Sequence, residues 1–189
     1  MFSEFLNIII KSIKLDKSFY QNNKNFGEAS IYYAIIIILL TSLISMVPGS
    51  TLSQYMNTVF GITNIKGPSL RSILFMSFFV WLIKAAYLYF IGVVIFASKS
   101  TKCSFKKLLT VLAYANAPFI FYIFIFDVKL MYFTFIPYIW YCVSLIVGIN
   151  QVLKYNNYIK SIIITLAPQM LFILWILSQI SNVHDGTLS

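Results

Sequence analysis

Acidic side chains are scarce in this sequence. Glu4, Asp16, Glu28, Asp127 and Asp185 are the only five in 189 residues, and none falls inside a long apolar run. No pair is spaced for general acid–base work. Histidine occurs once, at His184 beside Asp185, and the two cysteines, Cys103 and Cys142, show no CxxC or Cys/His ligand spacing. Neither a metal site nor a disulfide framework is therefore expected. Cys103, in a basic loop next to a span, has the setting of a palmitoylation site, although an ordinary reduced thiol is the plainer reading. Glycine-rich phosphate loops and nucleophile elbows are also missing. Catalytic residues, bound cofactors and a metal centre are not expected, which excludes most enzyme classes.

Apolar residues are abundant. The chain is 60% hydrophobic, 18% aromatic and only 10% charged, with a mean hydropathy of +0.85, values foreign to ordinary soluble domains. Five stretches have the roughly 20 residues that a helix needs to cross about 30 Å of hydrocarbon. They run from Ala29 to Val47, Ser72 to Ala97, Leu108 to Phe126, Leu130 to Ile149 and Ser161 to Ile180. The expected fold is an all-α membrane bundle of five spans (29–180), preceded by an N-terminal segment (1–28) and followed by a short outer tail (181–189). The second stretch exceeds the required length and is expected to tilt or to continue past the interface.

Charge gives an orientation. If the spans alternate, ten of the 14 basic residues lie on one side, while Lys66, Arg71 and Lys129 lie on the other and Lys84 lies within a span. Positive charge resists translocation, so the N-terminus is expected in the cytoplasm and the C-terminus outside. This pattern accounts for the net charge of +9 without nucleic acid, which is not an expected partner. Anionic lipid headgroups are, with Lys99, Lys102, Lys106 and Lys107 forming a lipid-facing basic loop worth about 1 kcal/mol per lysine near such a surface. Ahead of the first span, Phe2, Phe5, Leu6, Ile9, Ile10 and Ile13 recur at helical spacing opposite Glu4, Asn7, Lys11 and Lys14. They predict an amphipathic helix, either interfacial or docked on the spans. Glu4 and the lysines interrupt its apolar run, so a cleaved signal is not expected.

Between the first two spans, Leu52, Tyr55, Met56, Val59 and Phe60 predict a short outer helix, with Ser50 or Thr51 as its cap. Asp127-Val-Lys129 is short enough to force the third and fourth spans into a tight hairpin. Lys84 sits mid-span with no acid in any span to pair with it. It reads either as a cation lining a polar cavity, with Asn116 as a second polar candidate, or as a snorkelled or carbonyl-bonded lysine. Pro118, Pro137 and Pro168 each remove an amide donor inside a span and predict helix kinks. The carbonyls they free call for donors such as Asn116, Thr134, Thr165, Gln169 or Lys84. Tyr132, Phe133, Tyr138, Trp140, Tyr141 and Trp175 suit interfacial belts and bundle packing.

The segment Leu108-Leu-Thr-Val-Leu-Ala-Tyr-Ala-Asn-Ala-Pro118, after the basic Ser104-Phe-Lys-Lys107, resembles the signature of the Yip-one domain family (Ypt-interacting protein-like) of five-span membrane proteins. Ile139-Trp140, Leu145-Ile-Val-Gly148 and the lysine-containing loop into Ser161 to Pro168 resemble the family's fourth and fifth spans. The resemblance implies a five-helix membrane domain with a cytoplasmic N-terminus, and places Tyr114 and Pro118 on its signature as packing and kink residues. Eukaryotic members bind prenylated Rab-type GTPases and form hetero-oligomers. This chain lacks their long acidic cytosolic region and Asp-Leu-Tyr-Gly-Pro type of segment, so GTPase binding is not expected. Its brevity and its Ile/Lys/Asn-rich wording resemble the prokaryotic branch, which places it in a cytoplasmic membrane. The leading expectation is a non-enzymatic protein that organises membrane partners or lipids and assembles with itself or other membrane proteins. The alternative is a small permease or lipid-handling protein with a polar intramembrane cavity near Lys84.

Overall fold

A computed structural model describes residues 2–22, 26, 27, 29–51, 69–96, 101, 103–155 and 157–170, and among them every regular element is helical. The elements are α1 (Phe2–Ile13), α2 (Lys17–Gln21), α3 (Ser30–Ile44), α4 (Leu70–Leu88), α5 (Phe105–Ala115), α6 (Phe135–Leu153) and α7 (158–170). A π-helical stretch, Tyr89–Ile95, extends α4; 3-10 stretches Ala117–Phe124 and Val128–Thr134 follow α5 and precede α6. Four continuous helical runs are long and apolar enough to cross a membrane: Ser30–Thr51, Leu70–Ile95, Phe105–Phe124 and Lys129–Leu153. The outer helix expected over 52–60, Lys99, Lys102, the final residues of the fifth apolar stretch and the tail with His184 and Asp185 lie outside the described residues.

The first span runs past its expected end at Val47. Its α-helix breaks at Ser45, which leaves the missing amide of Pro48 near the start of a fresh helical turn, where a proline costs least. Ser50 Oγ and Thr51 Oγ1, read as caps for the next helix, both donate to Val47 O at 2.9 and 3.0 Å.

The centre of the bundle is α5. Thr110, Val111, Leu112, Ala113, Tyr114 and Ala115 are buried on successive positions, as is Leu108 before them, so its whole circumference is covered. It packs on α3, α4 and α6. One side of it faces Trp81, Ala85, Leu88, Tyr141, Leu145 and Ile149; the other faces Ile8, Phe19, Tyr20, Tyr33, Ile37 and Val152. Small residues let these helices approach closely. At Gly148 a Cβ would stand 2.8 Å from Val111 Cγ1 and 3.2 Å from the Tyr20 ring, so no side chain fits without displacing a neighbour.

The first two helices dock on the spans. Ile8, Ile9 and Ser12 of α1 are buried while Leu6 and Ile10 are exposed, and the Trp140 indole donates to Ile13 O at 2.9 Å. Asp16 caps α2 by accepting from Ser18 N, and this short helix carries Tyr20 into the bundle, where its hydroxyl lies 3.1 Å from Ser144 Oγ. On the opposite faces, Phe75, Phe79, Ile83 and Phe90 of the second span and Phe135, Ile136 and Ile139 of α6 point outward. Water does not tolerate so extended an apolar surface; hydrocarbon does.

Candidate functional site

The buried face of α4 is set by Trp81, Ala85 and Leu88, and the Trp81 indole fixes α4 to α5 by donating to Leu109 O at 2.9 Å. Lys84 stands one residue before Ala85, half-buried, with its ammonium donating to Tyr141 Oη at 3.4 Å and lying 5.4 Å from that ring's centroid. Tyr141 is itself held by stacking on Phe119, with centroids 5.0 Å apart and planes at 28°. Hydroxyl and ring face together stabilise a cation held away from bulk water.

Two cavities meet at this lysine. The smaller, 170 Å³, is lined by Lys84, Asn116, Phe119, Tyr141 and hydroxyl residues of the first two spans. The larger, 470 Å³, runs between Lys84, Tyr87, Tyr138 and Tyr141 and the α7 residues Thr165, Pro168 and Gln169. Lys84 and Asn116, singled out in the sequence, thus line one cavity. Asn116 also closes α5: its Nδ2 donates to Leu112 O at 2.6 Å, and its backbone amide turns back to Ala113 O.

The prolines act in different ways. Pro118 cannot donate to Tyr114 O, so the α-helix stops at Ala115 and the span continues as a 3-10 helix. Pro137 falls in the first turn of α6, after a 3-10 stretch. In the turn before it, Thr134 O accepts from Tyr122 Oη at 3.3 Å, tying the third span to the fourth. Pro168 lies within α7, flanked by two groups without hydrogen-bond partners among the described residues, Thr165 Oγ1 and Gln169 Oε1. Both residues line the larger cavity.

Of the basic loop, Lys106 and Lys107 occupy the first turn of α5, where Ser104 caps the helix by accepting from Lys107 N. Lys106 is exposed, and the Lys107 ammonium lies 4.9 Å from the centroid of Phe26. Burial pushes the Cys103 thiol up to about 11, with the Lys107 charge opposing. The roles of Tyr141 and Phe119 were not readable from the sequence, because a span this rich in aromatic residues gives no sign of which ring faces a lysine on another helix.

A family model described as the Yip1 domain matches residues 14–179, covering α2 through α7. The chain belongs to the Yip1 domain family. Comparison with curated proteins and with solved structures finds no match. With four apolar helices of spanning length among its described residues, this Yip1 domain is an integral membrane protein. Within the matched residues, Tyr114 lies on the innermost helix, α5, and Pro118 in the 3-10 stretch that follows it, and both are fully buried.

Proposed function

We propose that this Yip1 domain protein is a non-enzymatic, five-span organiser of membrane lipids or membrane partners. In this reading the N-terminus is cytoplasmic, α1 lies at the headgroup boundary while docked on the bundle, and α7 begins a fifth span across Ser161 to Ile180. The basic face engages anionic headgroups of a prokaryotic cytoplasmic membrane, and the protein assembles with itself or with other membrane proteins. What supports it is the sequence distribution of basic residues, ten of 14 of which fall on one side if the spans alternate, as a surface facing anionic lipid requires. The test is native mass spectrometry from nanodiscs of mixed composition. Enrichment of anionic lipid or a stable hetero-complex supports the organiser; a lipid shell matching the bulk composition, with no partner, overturns it.

A lipid-handling or permease activity is the second reading. It is favoured by Thr165 Oγ1 and Gln169 Oε1, which have no hydrogen-bond partner among the described residues and stand beside the cavity that Lys84 lines, since buried polar groups without partners are rare unless something else satisfies them. Lys84→Met decides it: a bound small molecule that disappears in a correctly inserted variant supports this reading, and unchanged binding or transport removes it.

A further inference from the structure

The larger of the two cavities at Lys84, 470 Å³, is lined mainly by apolar side chains, Val80, Leu88, Leu145 and Ile164 among them. Its volume lies in the lower half of the roughly 300–1,000 Å³ of small-molecule pockets, the scale of one acyl chain rather than a two-chain lipid. At Tyr138, 41% exposed, the cavity reaches the outward face of α6, so an occupant can enter from the surrounding hydrocarbon. Lys84, Thr165 and Gln169 interrupt the apolar lining. Thr165 is 2% exposed, and neither its Oγ1 nor the buried acceptor Gln169 Oε1 has a hydrogen-bond partner among the described residues. Thr165 Oγ1 therefore does not serve the carbonyl that Pro168 frees.

Lys84 is under-served as well. An ammonium has three donors to place, and the described residues give it one acceptor, Tyr141 Oη at 3.4 Å, beyond the roughly 2.7–3.2 Å of a good hydrogen bond. No Asp or Glu lines either cavity among the described residues. The acids that are described work elsewhere: Glu4 accepts from Tyr33, Asp16 caps α2 and Asp127 accepts from the Lys129 amide. The smaller cavity has little to offer a polar ligand, because Thr41, Ser42 and Ser45 donate to Ile37 O, Ile38 O and Thr41 O, and Asn116 Nδ2 to Leu112 O. The polar end of an occupant therefore belongs in the larger one. An oxyanion there would pair a lysine that is costly to leave unpaired within a span. Gln169 Oε1 calls for the opposite, a donor, since a carbonyl oxygen repels an anion. A plain carboxylate meets only the first of these requirements.

We infer that this cavity binds a single-chain amphiphile whose head joins an oxyanion to a hydroxyl, as in a monoacylglycerol phosphate. Lys84 and Thr165 Oγ1 donate to the oxyanion, the ligand hydroxyl donates to Gln169 Oε1, and the chain lies against Val80, Leu88, Leu145 and Ile164. The inference rests on the lipid-handling reading and deepens it by naming the class of lipid.

The test is equilibrium binding of three radiolabelled lipids to the full-length protein in phosphatidylcholine nanodiscs, with binding to empty nanodiscs subtracted. 1-Palmitoylglycerol 3-phosphate carries both head features, palmitate the oxyanion alone and 1-palmitoylglycerol the hydroxyls alone. Saturable binding of the first is expected, at least fivefold tighter than that of either other. Lys84→Met should weaken the two anionic lipids at least tenfold and change 1-palmitoylglycerol less than twofold. Gln169→Met should weaken 1-palmitoylglycerol 3-phosphate at least threefold and leave palmitate within twofold, the retained palmitate showing that the cavity is still formed. The exposed Lys106→Gln, a charge control, should change none of them more than twofold. No saturable binding of 1-palmitoylglycerol 3-phosphate, palmitate bound as tightly as it, or wild-type affinity in either cavity variant overturns the inference. If palmitate still binds in a Lys84-dependent way after such a failure, the lipid-handling reading stands without this ligand; if no probe binds in a Lys84-dependent way, both fall.

Discussion

Asp16 starts α2 with one carboxylate that accepts from the Ser18 amide, the Ser18 hydroxyl and the Phe19 amide. Its hydrogen bond from the Ser18 side chain, the largest cause, holds the carboxyl below its ordinary value. The stabilisation this supplies is complete above the unfolded carboxylate value and is lost as pH falls through the lower folded one. Asp16→Ala should destabilise the protein by about 1 kcal/mol at neutral pH, and the difference from wild type should shrink as pH falls through the lowered folded value; chemical denaturation at several pH values checks both. Cys103 gives the opposite sign. A thiol pushed up to about 11 stays protonated in the range where an ordinary cysteine ionises, so in a Cys142→Ser background its alkylation at pH 8 should be about 100-fold slower than that of a free thiol. The rate should rise about tenfold per pH unit until the thiol titrates, which a timed maleimide reaction followed by mass shift will measure.

Close approach governs the helices. Gly148→Ala drives a methyl into Val111 Cγ1 and the Tyr20 ring, and α6 must move away from both α5 and α2. The expected cost is about 1–3 kcal/mol, with Val111→Ala in the same chain recovering part of it, as a double-mutant cycle of denaturation midpoints would read. The spans themselves were legible because their length and apolarity are local properties, and the short Asp127-Val-Lys129 turn announced that the third and fourth would pack together. Their internal geometry was not. Pro118 and Pro137 marked interruptions, but the choice of a 3-10 continuation over a bent α-helix depends on tertiary partners such as Tyr122 Oη on Thr134 O. The π-helical Tyr89–Ile95 likewise depends on a remote group, the Tyr155 hydroxyl that donates to Gly92 O.

For the molecule as a whole, the orientation inferred from lysine counts is open to direct measurement. In a background of Cys103→Ser and Cys142→Ser, Lys129→Cys should react with a membrane-impermeant thiol reagent in intact cells, and Lys106→Cys only after permeabilisation; the reverse pattern overturns the assignment. Lys84 was conspicuous in the sequence as a lone charge, whereas the burial of Asn150 was not, because a polar residue just beyond a span reads as an ordinary loop while in the fold α2 packs onto the helix that carries it. That packing has a schedule. Tyr20 and its partner Ser144 are 124 residues apart, and at a translation rate of about 5–20 residues per second the docking site for α2 is made roughly 6–25 s after α2 itself. Through that interval Tyr20 has no Ser144 to meet and Phe19 can reach only the Tyr114 side of its pocket, so the seat of α2 stays half-built until the fourth span arrives to complete it.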